Sequence, residues 1–143
     1  TIENLKFEIK KNKEIFKINS SIHLPEVISS VEDLYFFHKN TESGNYITQK
    51  EIKAKILHYK GLADLEKLEN KIVVIESADP GYDFIFSRKI KGLITKFGGQ
   101  NSHMSIRSAE LSIPACIGVG EKKFNDILSK KTINMDCLNK KIY

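Results

Sequence analysis

The apolar residues of this chain fall into short groups whose spacing changes along its length. Residues 2–17 place Ile2, Leu5, Ile9 and Phe16 at intervals of three, four and seven, the period of one helix face. Leu5, Phe7 and Ile9 also alternate and Asn12-Lys13 offers a turn, so a hairpin is the second reading. Leu24-Pro25 closes that unit, and Ser30-Val31-Glu32-Asp33 has the pattern of a capped helix start. A polar, turn-rich stretch at 39–46 marks a boundary. Beyond it, Ile52, Ala54 and Ile56 alternate with lysines, which predicts a half-buried strand over 50–58. Thr48 with Glu51 would make a capping box, so a helix is the alternative there.

The run Ile72-Val73-Val74-Ile75 predicts the clearest strand, 71–77, and Asp79-Pro80-Gly81 turns the chain after it. Tyr82 to Ile90 reads as a short helix with Phe84, Ile85 and Phe86 packing inward. A buried strand at 92–95, an amphipathic helix at 102–112, a strand at 114–118, a helix at 121–129 and a last strand at 132–136 follow. Strands alternating with short helices predict an α/β domain.

Composition narrows the function classes. A chain of 143 residues, 41% apolar and 29% charged, suits one globular domain and excludes collagen-like and disulfide-scaffold proteins. No apolar run approaches the roughly 20 residues a membrane-spanning helix needs, so no membrane partner is expected. Lys plus Arg, 23 residues, outnumber the 18 Asp plus Glu, giving a formal charge of +5. The two signs are interleaved, and even the dense run Lys10-Lys11-Asn12-Lys13 reads as a solvated face, so no nucleic-acid partner is expected. Cys116 and Cys137 lack metal or redox spacing and sit among apolar residues, which predicts reduced core thiols in a cytoplasmic protein. His23, His38 and His58 share no spacing, so no metal site is expected. An opening Thr1 in place of Met leads to the expectation of a piece of a longer polypeptide.

The chemistry concentrates in Gly98-Gly99-Gln100-Asn101-Ser102-His103-Met104-Ser105-Ile106. A strand, a two-glycine turn and a helix carrying a histidine in its first turn follow one another. Glycines let the backbone adopt positive φ and approach a ligand without Cβ atoms between them. A helix start offers free N–H groups and a partial positive charge, which suits an anion. Asn101 or Ser102 can cap that helix. An imidazole placed there is near donors able to bind a phosphoryl group, and the helix dipole favours its neutral, nucleophilic form.

The pattern Gly98-Gly99-x-x-Ser102-His103, then Ile106, Glu110-Leu111-x-Ile113-Pro114-Ala115 and Gly118, resembles a known family. It is similar to the phosphohistidine, or swivelling, domain of phosphoenolpyruvate-utilising enzymes such as phosphoenolpyruvate synthase and pyruvate phosphate dikinase. The likeness runs from about Tyr46 to Tyr143 and includes Ile94-Thr95 and Thr132-Ile133-Asn134-Met135-Asp136. It implies a swivelling β/β/α domain over 46–143, small sheets packed with short helices, preceded by a helical and linker segment over 1–45. By the same resemblance His103 is the residue phosphorylated, and Gly98, Gly99, Asn101 and Ser102 form its phosphate site, with Arg107 and Thr95 as candidate additions read from their positions. The chain would be the carrier part of a phosphotransferase and bind no cofactor itself. Mg²⁺ with ATP or phosphoenolpyruvate is expected in neighbouring domains, the partners being an ATP-grasp domain, a phosphoenolpyruvate/pyruvate-binding domain, or both, in the same polypeptide. A non-catalytic docking module that keeps the fold is the alternative.

The sequence departs from that family at several positions. Asn101 stands where many members have a threonine through which some dikinases are regulated, so that regulation is not expected here. Ser108-Ala109 replaces a frequent Ala-Arg, and Arg107, at i+4 from His103, lies on the same helix face as a replacement cation or a plain surface arginine. Cys137 and Lys140 stand where glycine is frequent, which affects a turn. Asp79 and Asp83 read as caps, Thr95 as a site or structural threonine, and Lys96 as added positive potential or a solvated lysine.

Overall fold

The computed structural model describes residues 2–21 and 44–143, and the chain divides into two compact units, Thr1–Lys39 and Asn40–Tyr143. In the first, α1 runs Ile2–Ser21, so the helical reading prevails over the hairpin. Leu24-Pro25, the helix start expected at Ser30, residues 39–43 of the boundary stretch, and His23 and His38 lie outside the described residues.

The second unit contains β1 (Asn45–Ile47), β2 (Glu51–His58), β3 (Ile72–Ser77), β4 (Gly92–Phe97), α2 (His103–Glu110), β5 (Ala115–Ile117), α3 (Glu121–Leu128), β6 (Thr132–Asp136) and β7 (Lys141–Ile142). Two 3-10 segments, Leu62–Lys67 and Pro80–Arg88, precede β3 and β4 respectively. The strands form one seven-stranded order, β1-β5-β4-β3-β2-β6-β7. Pairs β2–β3, β3–β4 and β4–β5 are parallel, while β1–β5, β2–β6 and β6–β7 are antiparallel.

Both faces of the central strands are covered, which is why β3 and β4 read as unbroken apolar runs rather than alternating ones. Val73, Ile75, Leu93 and Ile117 pack on one face against Met104 of α2 and Ile85 and Phe86 of the second 3-10 segment. Ile72, Val74, Ile94 and Cys116 pack on the other against Phe124 and Ile127 of α3 and Ile133 and Met135 of β6. The fold is α/β, as the sequence predicts. Cys116 and Cys137 are free and buried.

Four local expectations are corrected. Thr48 cannot open a helix, because its φ of 72° is left-handed and its Oγ1 accepts from Lys50 N within a turn. Tyr46, placed in the polar boundary, instead lies in β1, paired with Cys116 of β5. The helix expected at Tyr82–Ile90 is a 3-10 segment beginning at Pro80, and Phe84 stays 38% exposed, its ring edge on Tyr59 at 5.7 Å. A further strand, β7, follows β6: Asp136 accepts from the backbone and side-chain nitrogens of Asn139 at 2.9 and 2.7 Å, turning the chain. Lys140 in that turn has a φ of 56°, a left-handed backbone that glycine adopts without steric cost.

Candidate phosphate site

The loops that leave β3 and β4 emerge at the same, carboxyl edge of the parallel strands, where open α/β sheets hold their ligands. Gly98 ends β4 with a φ of 134°, and a Cβ there would meet Ala78 Cβ at 2.5 Å and Ile117 Cγ2 at 3.0 Å. Only glycine lets the β4 exit lie between the ends of β3 and β5. Thr95 is fully buried, its hydroxyl donating to Phe97 O and accepting from Gly118 N, both at 2.9 Å. It therefore builds the loop from behind, and its side chain lies out of reach of a ligand.

The chain then turns into α2. Gly99 O accepts from Ser102 N at 3.1 Å. Of the two candidate caps it is Ser102 that serves, its Oγ accepting from Ser105 N at 3.4 Å, while Asn101 is exposed. His103 is the first residue of the helix, with its side chain 41% exposed. The opposite face of α2 buries Met104 and Ser108, whose hydroxyl donates to Met104 O at 2.7 Å.

One residue joins the site against expectation. Asp79, not Asp83, caps the 3-10 segment, accepting from Gly81 N at 2.7 Å. Asp83 instead faces His103, its Oδ1 lying 2.9 Å from Nε2. The same oxygen accepts from Arg107 Nε at 3.1 Å, and Arg107 Nη1 donates to Glu110 at 2.8 Å. The i+4 spacing thus brings Arg107 beside His103, as read from the sequence, but through a carboxylate 20 residues upstream. The bonds from His103 and then Arg107 hold the Asp83 carboxyl below the usual aspartate range. Glu110 and Asp83 together push the Arg107 guanidinium further up. Nothing in local spacing marks Asp83, because its partners come from another element. Ala109 is exposed.

Lys96 is neither solvated nor free at the site. Its ammonium sits 3.6 Å from Glu76 and 3.4 Å from Glu121, over the Phe97 and Phe124 rings. Among the described residues no group of three His, Cys, Asp or Glu could hold a metal ion, and Asp83, the carboxylate bonded to His103, is also bonded to Arg107. No helix among the described residues is long and apolar enough to cross a membrane.

The α/β unit thus presents an exposed histidine at a helix start, after a glycine loop and beside a guanidinium. The chain belongs to the family described as PEP-utilising enzyme, mobile domain, which it matches over residues 67–140. It is 29% identical over 123 residues, 82% of this chain, to a phosphoenolpyruvate-protein phosphotransferase of Mycoplasma capricolum, of which it covers 20%. It is 25% identical over 118 residues, 78% of this chain, to a rifampicin phosphotransferase of Bacillus cereus, of which it covers 14%. The chain thus spans a fifth or less of each of these relatives. Among solved structures, the solution structure of Enzyme I (nEIt) aligns at 27% identity with a TM-score of 0.43, covering 56% of this chain and 33% of that one.

Proposed function

We propose that this chain is the phosphoryl-carrier domain of a larger phosphotransferase, with His103 as the residue that carries the group. A ring nitrogen of His103 uses its lone pair to form an N–P bond while the P–O bond to the donor's leaving oxygen breaks. At a second site the acceptor's nucleophilic atom forms a bond to phosphorus while the N–P bond breaks, its electron pair returning to the ring nitrogen, which can take the acceptor's proton. The observation that carries this reading is the meeting of His103 and Arg107 on one exposed oxygen of Asp83, which puts a guanidinium beside a reachable imidazole. The start of α2 adds a favourable field for an anion.

One relative's name supports phosphoenolpyruvate as a donor. We infer from the family resemblance alone that ATP is the other candidate donor, with Mg²⁺, and that an ATP-grasp or phosphoenolpyruvate-binding domain of the same polypeptide supplies it. The carrier unit is the compact unit Asn40–Tyr143, since β1 begins at Asn45 and pairs with β5. Reduced, buried cysteines suit a cytoplasmic setting. The test is incubation of the full polypeptide with each donor and Mg²⁺. Acid-labile phosphate is expected on the wild type and absent from His103→Ala. Equal labelling of the two would leave His103 without the carrier role, and labelling of neither would favour the docking-module alternative.

A further inference from the structure

The oxygen shared by His103 and Arg107 imposes a condition on the carrier. Asp83 is ionised near neutral pH, and an ionised carboxylate only accepts hydrogen bonds. The 2.9 Å contact therefore needs a hydrogen on Nε2, so that nitrogen can take a phosphoryl group only after it gives up both the hydrogen and the bond to Asp83. Arg107 meanwhile gives one donor to Asp83 and another to Glu110. A phosphoryl group on the ring brings roughly −1.5 to −2 of charge next to these two carboxylates. One guanidinium cannot keep Asp83 and accept the new anion at the same place, because the like charges repel at that distance.

We propose that Asp83 is a positioning residue, an exchangeable latch that holds the unphosphorylated His103 ring and Arg107 together and gives up Arg107 to the phosphoryl group once the ring is charged. The exchange rests on the carrier reading, whereas the resting latch does not. Geometry supports a latch over a fixed brace. Asp83 sits on a 3-10 segment and its side chain is 44% exposed, so it has solvent to move into. Arg107 would keep Glu110 as a second partner while Asp83 leaves.

The experiment compares wild type, Asp83→Ala and Asp83→Asn in the 143-residue chain with ¹⁵N-labelled histidine and arginine. Backbone spectra confirm that each variant is folded. In the wild type the His103 Nε2–H and Arg107 Nε–H signals should be protected from water. In Asp83→Ala their exchange should quicken by roughly two- to fivefold, the scale of an exposed ion pair. Potassium phosphoramidate then supplies the phosphoryl group without any neighbouring domain. Its P–N bond breaks, the ring N–P bond forms, and the ring proton leaves on the released ammonia as ammonium. Labelling of His103 should move the Arg107 Nε signal in the wild type and proceed faster in both variants, again roughly two- to fivefold. Identical Arg107 and His103 exchange in wild type and Asp83→Ala would overturn the latch. An unmoved Arg107 signal on labelled wild type would overturn the exchange while leaving the carrier reading intact. Protected signals on a ring that phosphoramidate does not label would uphold the resting latch and count against both the exchange and the carrier reading.

Discussion

Gly98 and Gly118 are pressed together, the carbonyl oxygen of Gly98 filling the space where a side chain on Gly118 would begin. Both have positive φ, 134° and 72°. The contact braces the loop leading to His103 against the end of β5, so the position of the imidazole depends on two glycines 20 residues apart in sequence.

Gly118→Ala should therefore cost roughly 2–4 kcal/mol, combining left-handed strain with overpacking. Gly120→Ala is the control, because Gly120 has a φ of 81° but open space around its Cα. It should cost about 1–3 kcal/mol, the strain of a φ and ψ that glycine alone enters readily, without the overpacking. Urea denaturation of both variants checks this, and equal losses would mean that the close approach carries no energy.

Thr95→Val keeps shape and volume but removes both hydroxyl bonds, leaving the Gly118 N–H without its partner. The expected loss is about 1–3 kcal/mol. Amide exchange at Gly118 should quicken in Thr95→Val and stay slow in Thr95→Ser, which retains the hydroxyl. An unchanged Gly118 amide in the valine variant would count against the bracket.

Burial pushes the Cys116 thiol from 9.0 up to about 12, and burial likewise raises Cys137. A thiol whose folded value is raised favours the fold fully below the ordinary value, and that contribution declines as pH rises from 9.0 towards about 12. Native protein at neutral pH should leave both cysteines unreactive to a thiol reagent, with both reacting in denaturant. Cys116→Ala should flatten the alkaline part of the stability curve, and a curve of unchanged shape would remove Cys116 as its cause.

Residues 40–143, which form a compact unit, should melt cooperatively when expressed without the first 39. Differential scanning calorimetry decides it. A broad, non-cooperative transition would assign the N-terminal segment to the same core.

How far the sequence reached depended on the range of the forces involved. β3 was legible because β-branched residues buried on both faces leave no polar position in Ile72–Ile75. The helix start at His103 was legible because glycine, serine and histidine act within a few residues of one another. β1 was not, since three residues owe their strand geometry to β5, with Tyr46 opposite Cys116. Asp83 was misread for a related reason. A cap and a tertiary partner look alike beside Pro80-Gly81, and the cap belonged to Asp79. Phe84 faced outward because a 3-10 segment turns every three residues, so its inward face holds Ile85 and Phe86.

Among the described residues, the sheet ends on one side at β1, three residues long, and on the other at β7, two residues long with Lys141 in it. Long bare edges invite another chain to add a strand, and shortness and lysine both discourage it. Whatever surfaces this unit meets as it works, its backbone offers them little to zip onto. Contacts with another surface would therefore fall to side chains rather than to an added strand.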